Sequence, residues 1–400
     1  MVNLISTDTI TILRDIMVES NGIQNSILPM SHTQLLAFRL RHHHLDRRMP
    51  LSSLVTVVKD VCGVQAQLTS AAQIALWARV EDLTPEGIEH ALWQDRTLVK
   101  AWCMRGAVHF LPTSDFLMYI GALGKSILYK EQQWITRCGI TIDDINNMIE
   151  AIVKALASES LTRQELTEQV VDLLGSKFRK WIEHSWGGIV KQACLKGLVC
   201  FGPNRGREVT FIRRDRWLPH LNSLPIEDAQ DSLLQQYLCT YGPATLQDFC
   251  TWSGMSMKEA TRIRERLRDK IVNVTRDEKT ALVLREDLGV IQKVEAIDQS
   301  VRLLPSFDPY MLGHRQKTDI VDEAYYKQVY RKAGWLSPVV ILNGRVIGTW
   351  SHKCKGEKLQ AIVQLFNDEL PKVLDKIKEE GSSLGSFLKK TCEITFRQMK

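Results

Sequence analysis

The pattern of apolar and polar positions reads mostly as helix, and capping residues mark where the helices start. Ser31 precedes Gln34, Thr162 precedes Glu165 and Thr245 precedes Asp248, each placing a capping oxygen three residues ahead of an acceptor. Thr84-Pro85 is a cap with proline in the first turn, and Thr113 and Ser114 before Asp115 open another helix after Pro112. In SSLVTVVKDVC, Leu54, Val57, Val58 and Val61 share one face, and Gly63 stands just past the end as a C-terminal cap. Thr69 then restarts a helix through Ala72, Leu76 and Trp77.

These elements repeat. Helix 162–174 and a second helix near 183–197 lead into LVCFG, a turn at Pro203-Asn204-Arg205-Gly206 and the strand EVTFIRR. GPATLQDFCTWSG, a helix over 256–270 and the strands KIVNVTR and ALVLRED around Asp277-Glu278-Lys279 follow the same outline. The stretch 31–111 has a similar helix-rich start and closes on the apolar strand AVHFL. Two or three helices capped by a β-hairpin outline a winged helix. The expected fold class is therefore α+β, mainly α, with an N-terminal extension over 1–30 and tandem winged-helix units over 31–150, 151–222 and 223–298. From Ser300 to Lys353 the character changes: VRLLPSFDPYMLG and VVILNGRVIGTW read as strands, with Asn343-Gly344 a strong hairpin turn. Residues 299–400 are expected to form a small β-barrel or open sheet, with a charged helical tail from 355 (LQAIVQLFNDELPKVLDKI) packing back on it.

Composition narrows the class. The chain has 400 residues, too many for one ordinary core. No apolar run approaches the ~18 residues of a membrane span. Asp8, Arg14 and Asp15 interrupt the N-terminal apolar stretch, which is not a secretory signal. Nine cysteines without a C-x-x-C pair point to reduced thiols in the cytoplasm and away from zinc. The net charge of +6 is mild, but its distribution is not even. Arg205, Arg207, Arg213, Arg214 and Arg216 crowd one segment, Arg262, Arg264, Arg266, Arg268 and Lys270 a second, and RLRHHHLDRR, from Arg39 through Arg41 to Arg48, a third. Each cluster alone could be a solvated face; three together point to a polyanion.

The chain has no phosphate loop, dinucleotide fingerprint, zincin motif or nucleophile elbow. His42-His43-His44 lacks metal-ligand spacing and is expected to be solvated or phosphate-facing, and Trp102, Trp134, Trp181, Trp186, Trp252 and Trp350 are expected in the core. One segment stands out. Gly63 ends a helix, so Gly63-Val64-Gln65-Ala66-Gln67 should be extended, with both glutamine amides on one side. Two primary amides can hold a water by donating and accepting, though neither is a strong base. Spacing alone equally allows, and by itself favours, two glutamines that merely cap neighbouring helices.

Several stretches resemble the AlkZ-like family of bacterial winged-helix DNA glycosylases, which unhook interstrand crosslinks and excise alkylated purines. They are RLRHHHLDRR, GVQAQLTSAAQIALWARV, LVKAWCMRGAVHFLP, LTRQEL, YGPATLQDF, LLPSFDPYMLGHR and VVILNGRVIGTW, covering roughly residues 31 to 355. The resemblance implies that Gln65 and Gln67 are the family's catalytic Gln-aliphatic-Gln pair. A sister branch carries aspartate at the second position, so Gln67 places this chain in the double-glutamine branch. Arg105, His109 and Asp308 lie in family-like stretches and are candidates for supporting the site. The family's fold, tandem winged helices and a β-barrel around a basic channel, agrees with the reading above.

The implied chemistry is coherent. Alkylation at N7 or N3 makes the purine cationic, so it leaves as a neutral base and needs little acid catalysis. Placing water and stabilising an oxocarbenium-like sugar is then an orientation task suited to amides. No lysine sits in the motif, which implies a monofunctional hydrolase rather than a Schiff-base lyase. The expected partner is double-stranded DNA carrying alkylated bases, bound by a monomer through Arg39, Arg41, Arg205, Arg207, Arg213, Arg214, Arg262 and Arg266. No cofactor, metal or membrane is expected. The competing reading is a winged-helix DNA-binding or regulatory protein without catalysis, and a third is a protein–protein scaffold, which would not need three arginine clusters.

Overall fold

A computed structural model describes residues 26–27, 30–184, 187–276 and 279–398. Most of the N-terminal extension, Trp186, and Asp277 and Glu278 of the expected turn lie outside the described residues. Strand β1 (Ser26–Ile27) and helix α1 (His32–His42) come first. Three stretches then share one plan: a helix, a very short strand, two helices and a hairpin whose second strand pairs with the short one.

In the first unit these are α2 (Leu54–Asp60), β2 (Val64–Gln65), α3 (Thr69–Trp77), α4 (Pro85–Trp93), β3 (Leu98–Trp102) and β4 (Val108–Pro112), in the antiparallel order β2-β4-β3. Helix α5 (Phe116–Arg137) links it to the second unit. That unit comprises α6 (Ile142–Ala155), β5 (Leu161–Thr162), α7 (Arg163–Leu174), α8 (Gly188–Leu195), β6 (Val199–Arg205) and β7 (Glu208–Arg213), in the order β5-β7-β6. The third has α9 (Ile226–Tyr241), α10 (Leu246–Ser253), α11 (Met257–Arg266), β8 (Ile271–Arg276) and β9 (Lys279–Leu284). Here the short strand shrinks to Ala244, bridged to Leu282, and β1 adds to β8 in parallel.

Local chemistry accounts for most boundaries. Reciprocal capping boxes form at Ser31, Thr162 and Thr245, and a further one at Ser256–Glu259 starts α11 one residue later than the sequence reading placed it. That helix also stops at Arg266, shorter than expected. The units do not have separate cores: one apolar cluster includes Leu76, Ile152 and Leu303, from the first unit, the second unit and the C-terminal sheet. Helix α5 crosses α8 closely because residue 124 is glycine; a Cβ there would lie 2.5 Å from the carbonyl oxygen of Leu195.

The C-terminal region contains β10 (Val301–Leu304), β11 (Val339–Leu342), β12 (Arg345–Lys355), β13 (Lys358–Leu365), α12 (Pro371–Phe387) and β14 (Thr391–Gln398). The five strands form a sheet in sequence order, and among the described residues its edges β10 and β14 are not joined, so it is open rather than a closed barrel. Asn343 and Gly344 both have positive φ, the conformation a two-residue hairpin turn requires. The expected helical tail is corrected over 391–398, a strand paired in parallel with β13, and over 358–365, where buried Leu359, Ala361, Val363 and Leu365 alternate with more exposed residues, a strand's period of two. Trp102, Trp181, Trp252 and Trp350 are core residues, whereas Trp134 is 44% exposed, contrary to expectation.

Candidate functional site

The glutamine segment lies at the junction between β2 and α3. Gly63 makes the approach possible: its φ is +84°, and a Cβ would sit 2.6 Å from Leu111 Cδ2 and 3.2 Å from the Phe110 carbonyl oxygen. Gln65 pairs with His109 across the sheet, and the Ala66 N–H donates to the Val108 carbonyl at 2.7 Å. Ala66 is buried, Gln65 half-buried and Gln67 exposed, as an extended chain on a core should be.

Both amides meet the turn between β3 and β4. The Arg105 guanidinium donates through Nη2 to Gln65 Oε1 at 3.2 Å, and the Val108 N–H reaches Gln67 Oε1 at 3.4 Å. Neither bond is a helix cap. The N-cap of α3 is Leu68, which supplies no side-chain bond. Each amide oxygen has capacity for one further hydrogen bond, and each amide carries two N–H donors.

Arg105 is itself held. It adopts φ +55°, a left-handed conformation costing a non-glycine residue about 1–2 kcal/mol. Its Nη1 donates to the carbonyl of Trp252 at the end of α10, which ties the hairpin turn of the first unit to the third. His109 is buried, and its Nδ1 lies 3.0 Å from the Ala107 carbonyl, which can only accept, so Nδ1 carries the proton. Burial, and then the Arg105 charge, push its pKa down to about 3. It is a neutral imidazole at neutral pH and has no proton to spare as an acid.

Residues 58–387 match the family described as DNA glycosylase AlkZ-like. Over 327 residues the chain is 30% identical to the interstrand DNA cross-link repair glycosylase of Streptomyces sahachiroi, spanning 80% of this chain and 87% of that protein. The chain belongs to the AlkZ-like DNA glycosylase family. The structure of the Streptomyces sahachiroi DNA glycosylase AlkZ superposes with a TM-score of 0.81 at 26% identity, covering 92% of this chain and 99% of that one. The similarity spans all three repeated units and most of the C-terminal sheet. No helix among the described residues is long and apolar enough to cross a membrane.

The other candidate residues of this AlkZ-like chain divide sharply. Asp308 is fully buried, with its oxygens 2.7 and 2.8 Å from the equally buried Arg79 and a further bond from the Tyr310 N–H. Its place is in an internal ion pair between the first unit and the C-terminal region, and the structure gives it no contact with the glutamines. Arg39 is corrected likewise: it is buried, bonded to Asp319 at 3.1 Å and to the Pro243 carbonyl at 3.0 Å, and cannot face a phosphate. Of the histidine triplet, expected to be solvated, His43 is buried between Tyr241 and Tyr310, at ring distances of 4.9 and 5.2 Å, and burial keeps it neutral. His44 instead pairs with Asp60 at 2.8 Å.

Several surface arginines are already engaged within the protein. Arg205 contacts Glu165 at 2.8 Å, Arg213 contacts Asp215 at 2.6 Å, Arg214 bonds the Gly197 carbonyl and Arg266 contacts Asp231 at 2.5 Å. Arg41 is exposed with one bond to the Glu295 carbonyl at 3.4 Å, and Arg207 and Arg262 are exposed with no ion pair among the described residues. Sequence reasoning missed the partners Arg79 and Trp252. It also missed Lys100, a buried lysine on β3 whose Nζ lies 3.2 Å from Thr69 Oγ1, two residues beyond Gln67. Only the folded hairpin brings that amine near the motif.

Proposed function

We propose that this chain is a monofunctional glycosylase that hydrolyses the N-glycosidic bond of purines made cationic by alkylation at N7 or N3. Its substrates extend to bulky adducts and to interstrand crosslinks of the kind named for the Streptomyces relative. The observation carrying this reading is that Gln65, half-buried, and Gln67, exposed, are freed from capping and lean on one hairpin turn. Arg105 orients the Gln65 amide, so the remaining donors and lone pairs of the two side chains can hold water against C1′. The amide oxygens also offer partial negative charge to the sugar as its bond to the base breaks. The base leaves with the bonding electrons as a neutral purine, and water supplies the new C1′ oxygen and releases one proton.

The helix–strand–helix–helix–hairpin repeat supports reading the three units as winged helices, the first boundary falling ahead of α6 at Ile142 and not at the expected 150, the later ones near 222 and 298, with 299–400 as the C-terminal part. Incubating N7-alkylated duplex with the protein, then alkaline cleavage and assay of free base, tests the activity. Gln65→Ala and Gln67→Ala should each slow release at least ~10²-fold, the scale for losing a positioned catalytic group, with unchanged duplex binding. Gln67→Asp restores an acceptor and should keep appreciable activity. Duplex binding by the wild type without any free base would favour the non-catalytic reading instead.

A further inference from the structure

A cavity of about 530 Å³ opens beyond the other end of α10, lined by Arg315, Lys317, Glu323, Tyr326 and Lys327 among others. Its size lies in the ~300–1,000 Å³ range of small-molecule sites. The Arg315 N–H donates to Asp248 Oδ1 at 2.7 Å, and Asp248 caps the start of α10. The far end of that helix accepts the bond from Arg105. Asp248 and Trp252 stand four residues apart on that helix, about 6 Å at 1.5 Å per residue. The cavity is therefore within a few nucleotides of the glutamine pair.

Its walls are built. Tyr326 stacks on Tyr330, with ring centroids 5.0 Å apart and 27° between planes, and Tyr326 remains 41% exposed. One ring face is fixed by its neighbour and the other is open. Tyr330 is anchored by its hydroxyl, which donates to the Met311 carbonyl at 2.8 Å. Lys317 Nζ donates to the same carbonyl at 2.8 Å and stands 5.2 Å from the Tyr330 ring. Burial, and then the charge of Arg105, push the Lys317 ammonium down to about 7. The lining carries Arg315, Lys317 and Lys327 against the carboxylate of Glu323, a balance that favours an anion.

From this geometry we infer that the cavity is a nucleotide site: a base stacks on Tyr326 while Arg315 and Lys327 take its phosphates, the nucleotide belonging to a strand out of the duplex. A neutral adduct would use the tyrosine but leave the cations without purpose. The inference rests on the chain acting on DNA, but not on the glutamine chemistry.

The probe is a fluorescent single-stranded oligonucleotide of about twelve nucleotides, within the usual footprint of such sites. Its affinity is read by anisotropy. Stacking contributes about 1–3 kcal/mol per base, so Tyr326→Ala should weaken binding by roughly 5- to 150-fold. Tyr326→Phe, which keeps the π face, should bind like wild type, and both variants should melt at the wild-type temperature. Arg315→Glu with Lys327→Glu should also weaken binding and lower the salt slope by about 1.4, at ~0.7 per phosphate. Unchanged affinity in Tyr326→Ala overturns the site, as does displacement of the oligonucleotide by inorganic pyrophosphate as effective as by an unlabelled strand. Equally tight binding of thymidine monophosphate would overturn the assignment to a strand. No bond is cleaved in this assay, so a protein that binds the probe through Tyr326 but releases no base would sink the glycosylase proposal alone.

Discussion

Replacing Asp308 with alanine separates two roles that the sequence leaves together, support of the active site and support of the fold. The Asp308–Arg79 pair has no exposed surface on either side chain, and its contacts are 2.7 and 2.8 Å. Asp308 Oδ1 also accepts from the Tyr310 N–H at the start of a short helix. Removing one partner of a buried pair leaves an uncompensated charge, which costs about 3–5 kcal/mol. With an unfolding entropy of about 2.1 cal/mol/K per residue, a chain of 400 residues loses about 4–6 °C in Tm. Calorimetry gives the Tm, and base release normalised to folded protein gives the activity. Replacing both Asp308 and Arg79 with leucine should recover much of the loss, because a packed apolar pair removes the orphaned charge. An unchanged Tm in Asp308→Ala, with base release per folded molecule slowed a hundredfold, would refute the structural assignment and return Asp308 to the active site.

Three further outcomes follow from the geometry. His43, His109 and His314 are buried and held neutral, with folded pKa values below the unfolded value near 6.5. Their contribution to stability is complete above about pH 6.5 and is lost as pH falls toward the folded pKa; for His109, with a folded pKa of about 3, the loss by pH 5 should be about 2 kcal/mol. A Tm that stays flat between pH 7 and pH 5 would contradict this. Arg207→Glu should weaken duplex binding regardless of sequence and reduce the salt slope by about 0.9, whereas Arg39→Gln should lower Tm instead; titrations at several salt concentrations decide between them. Among the described residues no cluster of three His, Cys, Asp or Glu side chains could hold a metal, and the amide mechanism needs none. Base release should therefore survive EDTA, and a loss restored by zinc or magnesium would overturn that mechanism.

What was legible in the sequence was what is local. The capping boxes at Ser31, Thr162 and Thr245 join residues three apart, and Gly63 announces its own left-handed turn, so the repeated units and the extended glutamine segment could be read directly. The strand at Lys358–Leu365 had a readable alternation, but its setting in a charged tail gave it the look of a helix. What escaped was long-range. Arg39 finds Asp319 across 280 positions and Asp308 finds Arg79 across 229, and no spacing rule converts an arginine-rich helix into one with a buried guanidinium. The anchor of Arg105 on Trp252, across 147 positions, belongs to the same class.

Comparing the three units with one another shows why the glutamines stand where they do. In the second unit the short strand runs straight into its helix, and Thr162 serves both as strand residue and as N-cap of α7. In the third, Ala244 makes the bridge and Thr245, the next residue, caps α10. Both threonines spend their side chains on their own helix. In the first unit Ala66, Gln67 and Leu68 intervene between β2 and α3, and the cap position falls to Leu68, which makes no such bond. Losing a Ser or Thr cap costs a helix about 1 kcal/mol, so the junction is worse as a piece of helix design than its two counterparts. In exchange the segment is pinned to the hairpin through Ala66 and Val108, and two amides are carried past the helix to the 105–108 turn. A scaffold repeated three times departs from its plan at this junction, giving up a cap and leaving there two amides that the proposed mechanism would use to orient a water. This is the physical reason to look for the chemistry in the first unit.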